Sequence, residues 1–248
     1  MTSEMENARA LARRASKILV FTGAGISTGS GIPDFRGPGG AWTRREPVLY
    51  QDFINSTRAR QEYWRYKAET FPAFRAALPN AAHQALVQFE RTGRLLALVT
   101  QNIDSLHRAA GTHTDKLIEL HGSGLYAECL DCYEWTSMEA ALAAFAADGA
   151  PPLCACGGWL KPAVVMFGEP LERENLIKAF KAAETCDLVV SIGSSLSVEP
   201  AASVPMSAKA GGKPYIVVNR GVTAHDRAAD VRLEGDACAL LPALFSPD

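Results

Sequence analysis

Short apolar runs recur along the chain, and each ends in glycine or in polar residues. These runs are rich in aliphatic and β-branched residues, which predict buried strands over residues 17–22, 95–100, 188–192 and 215–218, with a weaker one over 231–233. Strands that are buried on both faces read as continuous apolar runs rather than as an alternation, as in parallel sheets.

Helical periodicity separates these runs. Apolar residues repeat at a spacing of three and four residues over 8–15, 82–89 and 174–184, and an alanine-rich stretch over 137–147 also predicts a helix. Asn80 stands where the second of these helices would take its N-cap. Strands that alternate with helices predict an α/β fold, a Rossmann-like doubly wound parallel sheet with helices on both faces.

Small and polar residues follow four of the strands, at 23–25, 101–104, 193–195 and 219–220. The carboxyl ends of parallel strands meet at one edge of the sheet, which is where doubly wound folds bind their ligands. The sequence therefore predicts a ligand site at this edge before any chemistry is assigned.

Two stretches interrupt the alternation. Residues 38–79, rich in aromatic and charged side chains, predict a helical excursion, and residues 128–161, with four cysteines, predict a small zinc-ribbon insert, a zinc-binding module. The remaining segments, 1–37, 80–127 and 162–248, are expected to form one Rossmann-like domain, because the length of the chain suits one large domain with insertions.

Composition adds expectations about partners and location. With 48% hydrophobic and 21% charged residues and a formal net charge of -2, the chain offers no global attraction to nucleic acid or to an anionic membrane. The apolar run 18–21 is too short for a signal-peptide core, and nothing approaches the roughly 20 apolar residues that span a bilayer. We therefore expect a cytoplasmic protein with reduced thiols.

Gly23 and Gly25 follow the first strand. Glycine permits a tight turn there and lets backbone N–H groups approach a phosphate closely. The signal is weak by itself, because the next glycine, Gly29, does not give the GxGxxG spacing of ordinary dinucleotide-binding loops.

Longer motifs are far more specific. In chain order they are Gly23-Ala-Gly-Ile-Ser-Thr-Gly-Ser-Gly-Ile-Pro-Asp-Phe-Arg36, Thr100-Gln-Asn-Ile-Asp104, Glu119-Leu-His-Gly122, Lys161-Pro162 with Val164-Val-Met-Phe-Gly-Glu169, Gly193-Ser-Ser-Leu-Ser-Val-Glu-Pro200 and Val218-Asn219. In these blocks the chain resembles the sirtuin family of NAD-dependent protein-lysine deacylases, and the resemblance extends over about residues 8–245.

The resemblance implies that NAD binds at the predicted sheet edge. Phe35 would lie beside the nicotinamide ribose, Asn219 and Arg220 beside the adenosine, and Ala237 against the adenine. Arg36 could instead be a solvated loop cation. The implied cofactor-binding residues are Gly23, Ala24, Gly25, Ser27, Asp34, Phe35, Arg36, Gln101, Asn102, Ile103, Asp104, Gly193, Ser194, Ser195, Asn219, Arg220 and Ala237.

The same resemblance makes His121 the catalytic base. A lone histidine is more often structural, but an imidazole with an ordinary pKa of about 6.5 suits a base that must be neutral near pH 7. Asn102 and Asp104 are the implied catalytic partners that orient the ribose and the nicotinamide carboxamide, a group that needs both a donor and an acceptor.

Some of these residues could have structural rather than catalytic or binding roles. Asp104 could cap a helix over 105–110, and both roles could hold together. His83, on an amphipathic helix, and His107, on a short helix after the active loop, carry no functional motif and are expected to be structural.

The reaction implied by the resemblance has two stages. Nicotinamide leaves the ribose through an oxocarbenium-like transition state as the acyl-lysine oxygen attacks, and His121 then deprotonates a ribose hydroxyl that takes the acyl group. The implied function is removal of acyl groups, foremost acetyl, from protein lysines, giving nicotinamide and O-acyl-ADP-ribose. The alternative is a protein ADP-ribosyltransferase or an NAD hydrolase using the same pocket, whereas a non-catalytic NAD-binding module is disfavoured by His121, Asn102 and Asp104.

Proteins with acylated lysines are the implied partners, and their peptide would add as a strand between two segments of this chain. Met166 and Phe167 could equally be ordinary core residues. A plain NAD hydrolase would need no such peptide cleft. The implied substrate-binding residues are Val165, Met166, Phe167, Gly168, Glu169, Ser197 and Val198.

The preferred acyl group is open, since acetyl, propionyl and longer apolar groups all agree with the motifs. Sirtuins that remove acidic acyl groups carry a Tyr-x-x-Arg pair, and here Trp64 and Lys67 stand at those positions. The acidic-acyl signature is absent, and Lys67, although it could still meet a carboxylate, is expected to be a surface lysine of a helix.

Two cysteine pairs, Cys129 with Cys132 and Cys154 with Cys156, are separated by 21 residues and predict one structural Zn2+ held by four thiolates. The second pair encloses a single residue, Ala155, where family modules have two, so it could close with altered geometry or hold zinc weakly. The insert has no Lys or Arg up to its last glycine pair, which argues against nucleic-acid binding by this module.

Overall fold

The computed structural model describes residues 3–34 and 46–246, and the strands in these ranges form two sheets. Six strands make a parallel sheet in the order β3-β2-β1-β7-β8-β9, and the other three make a small antiparallel sheet in the order β5-β4-β6. The large sheet is doubly wound, with its switch between β1 and β7, which confirms the Rossmann-like prediction. The strands are β1 (Ile18–Thr22), β2 (Leu95–Thr100), β3 (Leu117–Glu119), β4 (Gly122–Cys129), β5 (Trp135–Ser137), β6 (Leu160–Val164), β7 (Leu188–Ile192), β8 (Tyr215–Asn219) and β9 (Val231–Glu234).

Helices connect these strands. The helices predicted from the sequence correspond to α1, α4, α5, α6 and α7 of the following set. The helices are α1 (Ser3–Arg14), a 3-10 helix (Ala24–Ser30), α2 (Tyr50–Asn55), α3 (Thr57–Ala76), α4 (Ala81–Glu90), α5 (Leu106–Ala110), α6 (Met138–Asp148), α7 (Arg173–Thr185), α8 (Ser203–Ala210) and α9 (Ala237–Leu244).

Alternate side chains of β1 pack on opposite faces of the large sheet. Ile18 and Val20 belong to a core shared with α1, α4 and α9, whereas Leu19 and Phe21 belong to a second core shared with α7 and α8. Every residue of β1 is buried, as expected for a central strand of a parallel sheet. Because helices cover both faces, the carboxyl edge of the sheet is where a ligand can approach the strands.

The helical excursion and the cysteine-bearing insert share a third core. Phe53 of α2 and Trp64 and Phe71 of α3 pack with Cys129 of β4 and Met138 of α6. The small antiparallel sheet is therefore packed directly against α2, α3 and α6. The boundaries predicted for the excursion and the insert stay predictions, since β4 and β6 extend the small sheet beyond the insert on both sides.

No helix within the two described ranges is long and apolar enough to cross a membrane.

His83 and His107 lie inside the large domain with structural partners. His83 Nδ1 accepts the backbone N–H of Asn80 at 3.3 Å, and His107 Nε2 lies 2.9 Å from Thr22 Oγ1. Burial lowers the pKa of His83 to about 4, and burial together with the neighbouring His83 places the pKa of His107 well below its ordinary value. Both rings are neutral in the folded protein near pH 7.

We expect the free energy of unfolding to fall between about pH 7 and about pH 5, because the unfolded chain takes up protons that the folded chain excludes. With a folded pKa of about 4 against an ordinary value of 6.5, His83 alone accounts for about 2 kcal/mol of this loss. Urea unfolding of His83→Gln should therefore show a smaller acid loss than the wild type. His113→Gln, which changes an exposed histidine, should match the wild type, and equal acid losses in all three proteins would contradict the prediction.

Candidate active site

A cavity of about 870 Å³ opens at the carboxyl edge of the large sheet. The loops after β1, β2, β7 and β8 border it, together with helix α3 and the turn after β6. The cavity thus lies where the sequence places the ligand site. The predicted site residues that line it are Gly23, Ala24, Gly25, Asp34, Gln101, Asn102, Ile103, His121, Val165, Met166, Phe167, Gly168, Glu169, Gly193, Ser194, Ser195, Val198, Asn219 and Arg220.

Other predicted cofactor residues are placed differently. Ser27 and Asp104 line a small recess beside the cavity. Ala237, the first residue of α9, is only 6% exposed and packs in the first core, so the cavity lining gives no support to its predicted contact with adenine. Phe35 and Arg36 lie outside the described residues, and their implied contacts with NAD stay predictions.

The main chains of the loops after β1 and β7 are in direct contact where the two loops cross. The N–H of Gly25 donates to the carbonyl of Gly193 at 2.7 Å, and a Cβ on Gly25 would lie 2.8 Å from Gly193 Cα. Gly193 has a φ of +62°, and a Cβ there would meet the backbone nitrogen of Ile26. A side chain at either position would collide with the backbone of the other loop, so glycine is what lets the two loops meet at the edge of the cavity. The cavity of about 870 Å³ beside this crossing is large enough for NAD and is lined by polar groups after β2, β7 and β8, so the residues present fit NAD.

Gly193→Ala is expected to weaken NAD binding at least tenfold, about 1.4 kcal/mol, because the new Cβ forces the two loops apart. Gly212 provides a matched control, since it also has a positive φ (+79°) but a Cβ there would meet nothing within 4 Å. Gly212→Ala should thus carry only the backbone strain of about 1–2 kcal/mol in stability. Calorimetric titration with NAD checks this, and equal affinities of the two variants would show that the crossing does not shape the NAD site.

His121 follows β3 and reaches the cavity with a defined tautomer. Its Nδ1 lies 2.8 Å from the backbone oxygen of Gln101, and because a carbonyl only accepts, Nδ1 carries the proton and Nε2 keeps its lone pair. Burial lowers the pKa of His121, although the hydrogen bond to Gln101 opposes this shift. The half-buried ring is therefore a neutral base near pH 7 that the main chain already orients.

Three hydrogen-bonded side chains, Ser27, Asn102 and Asp104, line the recess beside the cavity. Ser27 Oγ donates to Asp104 Oδ2 at 2.6 Å, and Asn102 Nδ2 donates to Ser27 Oγ at 3.1 Å. Asp104 Oδ1 accepts the N–H of Leu106, the first residue of α5, at 2.9 Å, although the N-cap of this helix is Ser105 rather than Asp104. Burial raises the pKa of Asp104, while these hydrogen bonds oppose the shift. Ser27 thus ties the 3-10 helix after β1 to the polar loop after β2.

Polar side chains after β7 and β8 are also tied to neighbours. Gln101 Nε2 donates to Ser194 Oγ at 2.8 Å, which joins the loops after β2 and β7. Asn219 Nδ2 donates to the backbone oxygen of Arg220 at 2.8 Å. Arg220 forms an ion pair with Asp236, so it lines the cavity as a paired cation rather than a free one.

An ion pair that the sequence analysis did not predict shapes the turn after β6. Lys161 Nζ lies 3.1 Å from Glu169 Oε2 and also donates to two backbone carbonyls. The same Glu169 oxygen accepts the N–H of Met166 at 2.9 Å, which closes the turn. The N–H of Val165 donates to the backbone oxygen of His121 at 3.0 Å. The implied peptide-binding segment is therefore held directly against the strand end that carries the base. Lys161 belongs to the Lys161-Pro162 motif, and this motif was the only sequence feature that could have marked it as a site residue.

The remaining predicted substrate residues differ in their exposure. Met166 is 6% exposed, belongs to the third core and also lines the cavity, so both of its predicted roles are compatible with its position. Phe167 is half-buried at the cavity wall. Ser197 is exposed beside Ser195, outside the cavity lining, whereas Val198 lines the cavity.

The four cysteines of the insert converge. Sulfur atoms lie 3.5 Å apart between Cys129 and Cys156 and 3.6 Å apart between Cys132 and Cys154, and all four are within 4.8 Å of one another. Thiolates about 2.3 Å from a tetrahedral zinc are about 3.8 Å apart, so this donor set fits a structural Zn2+. The shortened second pair closes through Gly157, whose φ is +90° and whose N–H donates to the carbonyl of Cys154.

The structure corrects the expectation that Lys67 is a surface lysine. Lys67 is 8% exposed and lines the cavity beside Tyr63 and Tyr66. Residues three and four apart share a face of a helix, and α3 turns this face to the cavity. The adjoining face carries Trp64 into the third core, so Trp64 does not line the cavity.

Comparisons with known proteins agree with this geometry. The model of the Sir2 family matches residues 23–200. The NAD-dependent protein deacetylase 1 of Bradyrhizobium diazoefficiens is 41% identical over 236 residues, which cover 95% of this chain and 93% of the relative.

Solved structures agree as well. A Sir2 variant with a deacetylated p53 peptide and 3'-O-acetyl ADP ribose is similar with a TM-score of 0.90 and 34% identity over 97% of both chains. Sir2Tm bound to a propionylated peptide is similar with a TM-score of 0.87 and 33% identity over 97% of both chains.

Proposed function

The chain belongs to the Sir2 family, and from this premise we propose that it removes acyl groups, acetyl foremost, from protein lysines in an NAD-dependent reaction. The observation that carries the proposal is His121, a neutral base whose Nδ1 donates its proton to the backbone oxygen of Gln101. His121 lines the same cavity as the turn after β6 and as Gly25 and Gly193, where the loops after β1 and β7 cross. A base, a cavity that NAD can enter and a segment along which a peptide can pair are the three parts that such a reaction requires. Acylated or deacetylated peptides in the similar Sir2 structures support it.

Each part of the site has a proposed task. NAD supplies the ADP-ribose that accepts the acyl group, with release of nicotinamide. His121 takes the proton of the hydroxyl that receives the acyl group, and the carbonyl of Gln101 stabilises the protonated ring because a charged donor strengthens that hydrogen bond. Asn102 and Asp104, fixed through Ser27, position the nicotinamide end of NAD.

The substrate peptide is proposed to add as a strand at the turn after β6, with Val198 on the facing wall. The lysine stem would pass Met166 and Phe167 on its way to His121. Main-chain pairing gives affinity with little sequence selectivity, so many acylated proteins are expected as partners. We propose a cytoplasmic location and neither a nucleic-acid nor a membrane partner, on the ground of composition.

Mass spectrometry of one peptide carrying acetyl-lysine, incubated with and without NAD, tests the proposal. We expect loss of the acetyl group only with NAD, together with nicotinamide. Nicotinamide release with an untouched acetyl-lysine would overturn the proposal in favour of an NAD hydrolase, and a gain of ADP-ribose on the peptide would overturn it in favour of a transferase.

A further inference from the structure

The small antiparallel sheet has one face in the third core and a second face that is partly open to solvent. Alternate residues of a strand point to opposite faces of a sheet. On β4, Ala127 and Cys129 pack in the third core, so Tyr126 and Glu128 point to the other, outer face. Trp135 of β5 stands opposite Glu128, and its ring centroid lies 5.6 Å from that of Tyr126. Tyr126 is 44% exposed and Trp135 is 56% exposed, so the outer face carries an aromatic pair that a partner can reach.

This outer face is continuous with the turn after β6. The register of the small sheet places Trp135, Glu128 and Lys161 in a row across its three strands. Lys161 is buried at one end of this row, where its Nζ lies 3.1 Å from Glu169 Oε2 in the turn. Neighbouring strands lie about 4.8 Å apart, so Trp135 at the other end is about 10 Å from β6. An extended peptide that pairs with the turn therefore needs about three further residues to reach Trp135.

The charges around the aromatic pair have one sign. Residues 128–158 contain five acidic side chains and no Lys or Arg. Asp131 and Glu134 lie between β4 and β5 and are exposed, and neither carboxylate has an ion pair with any residue that the structure describes. Tyr133, between them, is 70% exposed. Carboxylates attract Lys and Arg, and the faces of Trp and Tyr rings attract the same cations. The two kinds of side chain thus favour the same basic partner.

We propose that the outer surface formed by Tyr126, Glu128, Tyr133, Glu134 and Trp135 binds a segment of the substrate protein that is rich in Arg and Lys. The inference rests on the proposed function, because the acylated part of the same substrate must lie at the turn after β6. Main-chain pairing at the turn gives little selectivity, and this surface adds a preference for acyl-lysines with basic residues nearby in the sequence. A second copy of this chain does not suit the surface, because a symmetric contact would bring the same carboxylates together.

The experiment compares acetyl-lysine peptides that differ only in charge. Each peptide carries a block of three residues that starts about four residues from the acetyl-lysine, on its N-terminal or its C-terminal side. The block is either arginine or citrulline, which has nearly the same shape but no charge. The measurement is kcat/KM with NAD in excess. For one of the two sides we expect the arginine peptide to be deacetylated at least tenfold more efficiently, through a lower KM, and we expect this advantage to shrink at high salt.

A double variant tests the surface itself. Glu134→Gln with Trp135→Ala removes one charge and one ring, and both side chains are exposed, so the fold should be kept. The backbone carbonyl of residue 134 still accepts the N–H of Cys129. The ratio of arginine to citrulline peptide should fall at least fivefold, with kcat for the citrulline peptide unchanged. The control is Glu184→Gln with Ile177→Ala on α7, where Ile177 is also 56% exposed and neither residue lines the cavity. It should keep the wild-type ratio.

The outcomes distinguish the inference from the function beneath it. If the citrulline peptides are deacetylated as efficiently as the arginine peptides on both sides, or if the double variant keeps the wild-type ratio, the surface is wrongly assigned and the deacylase stands. A wild-type dimer in light scattering that the double variant dissolves would assign the surface to a second copy and overturn the inference. If no peptide loses its acetyl group with NAD, the proposed function itself fails, and the inference fails with it.

Discussion

His121→Ala is expected to lower kcat for deacetylation by about 10²- to 10⁴-fold, the usual contribution of a positioned general base. The variant removes the Nε2 lone pair that would take the proton of the acyl-accepting hydroxyl. The glycine crossing is untouched by this change, so the affinity for NAD should alter far less than kcat. Steady-state kinetics on an acetyl-lysine peptide and calorimetric titration with NAD measure the two effects separately.

His113→Ala is the matched control, because its side chain is 67% exposed and does not line the cavity. It should keep the wild-type kcat. The rate should also depend on pH in a defined direction. Because burial lowers the pKa of His121 below 6.5, the wild-type rate should stay level down to about pH 6.5 and fall at lower pH as the ring takes a proton. A kcat of His121→Ala within about threefold of the wild type would contradict the assigned base.

Cys132→Ser is expected to abolish zinc binding and to lower Tm by about 10 °C. Loss of a structural metal costs several kcal/mol, and each kcal/mol shifts Tm by about 2–4 °C at this chain length. Cys132 is exposed, so the substitution opens no cavity in the core. Its cluster partner Cys129 packs in the core shared with Trp64 and Phe71 of α3. Because α3 lines the cavity, deacylation should fall together with Tm.

Cys238→Ser serves as the control, since Cys238 lies outside the cluster and is half-buried. Elemental analysis of protein purified without added zinc should find about one zinc per chain in the wild type and in this control. Less than about half an equivalent in the wild type would contradict the zinc assignment.

The large sheet was predictable because its central strands are continuous apolar runs. Every residue of β7 is buried, and its five residues stand out from their surroundings as a block. β3 carried no such signal, since Leu117–Glu119 has three residues and each is only half-buried. The strand exists because it pairs with β2, and such pairing cannot be seen in a short segment taken alone.

Motifs identified the main side chains of the site, but contacts across the chain did not follow from them. Ser27 and Asp104 are 77 residues apart and meet only when β1 and β2 pair. The closure of the shortened cysteine pair likewise depends on the positive φ of Gly157, which two adjacent glycines permit but do not dictate.

The position of Lys67 was predicted wrongly for a physical reason. A lysine among aromatic and charged residues of an amphipathic helix is most often solvated. Whether such a side chain is buried depends on what covers the helix, and here α3 packs on the small antiparallel sheet and borders the cavity. Local sequence therefore sets the face on which Lys67 lies, and tertiary packing sets its burial.

One measurement tests the proposed function most directly. A peptide with a carbon-13-labelled acetyl group on lysine is incubated with NAD, and the label is followed by mass spectrometry. We predict that the label moves to ADP-ribose, with one nicotinamide released for each acetyl group lost. Labelled free acetate formed while NAD stays intact would contradict an NAD-dependent acyl transfer by this protein.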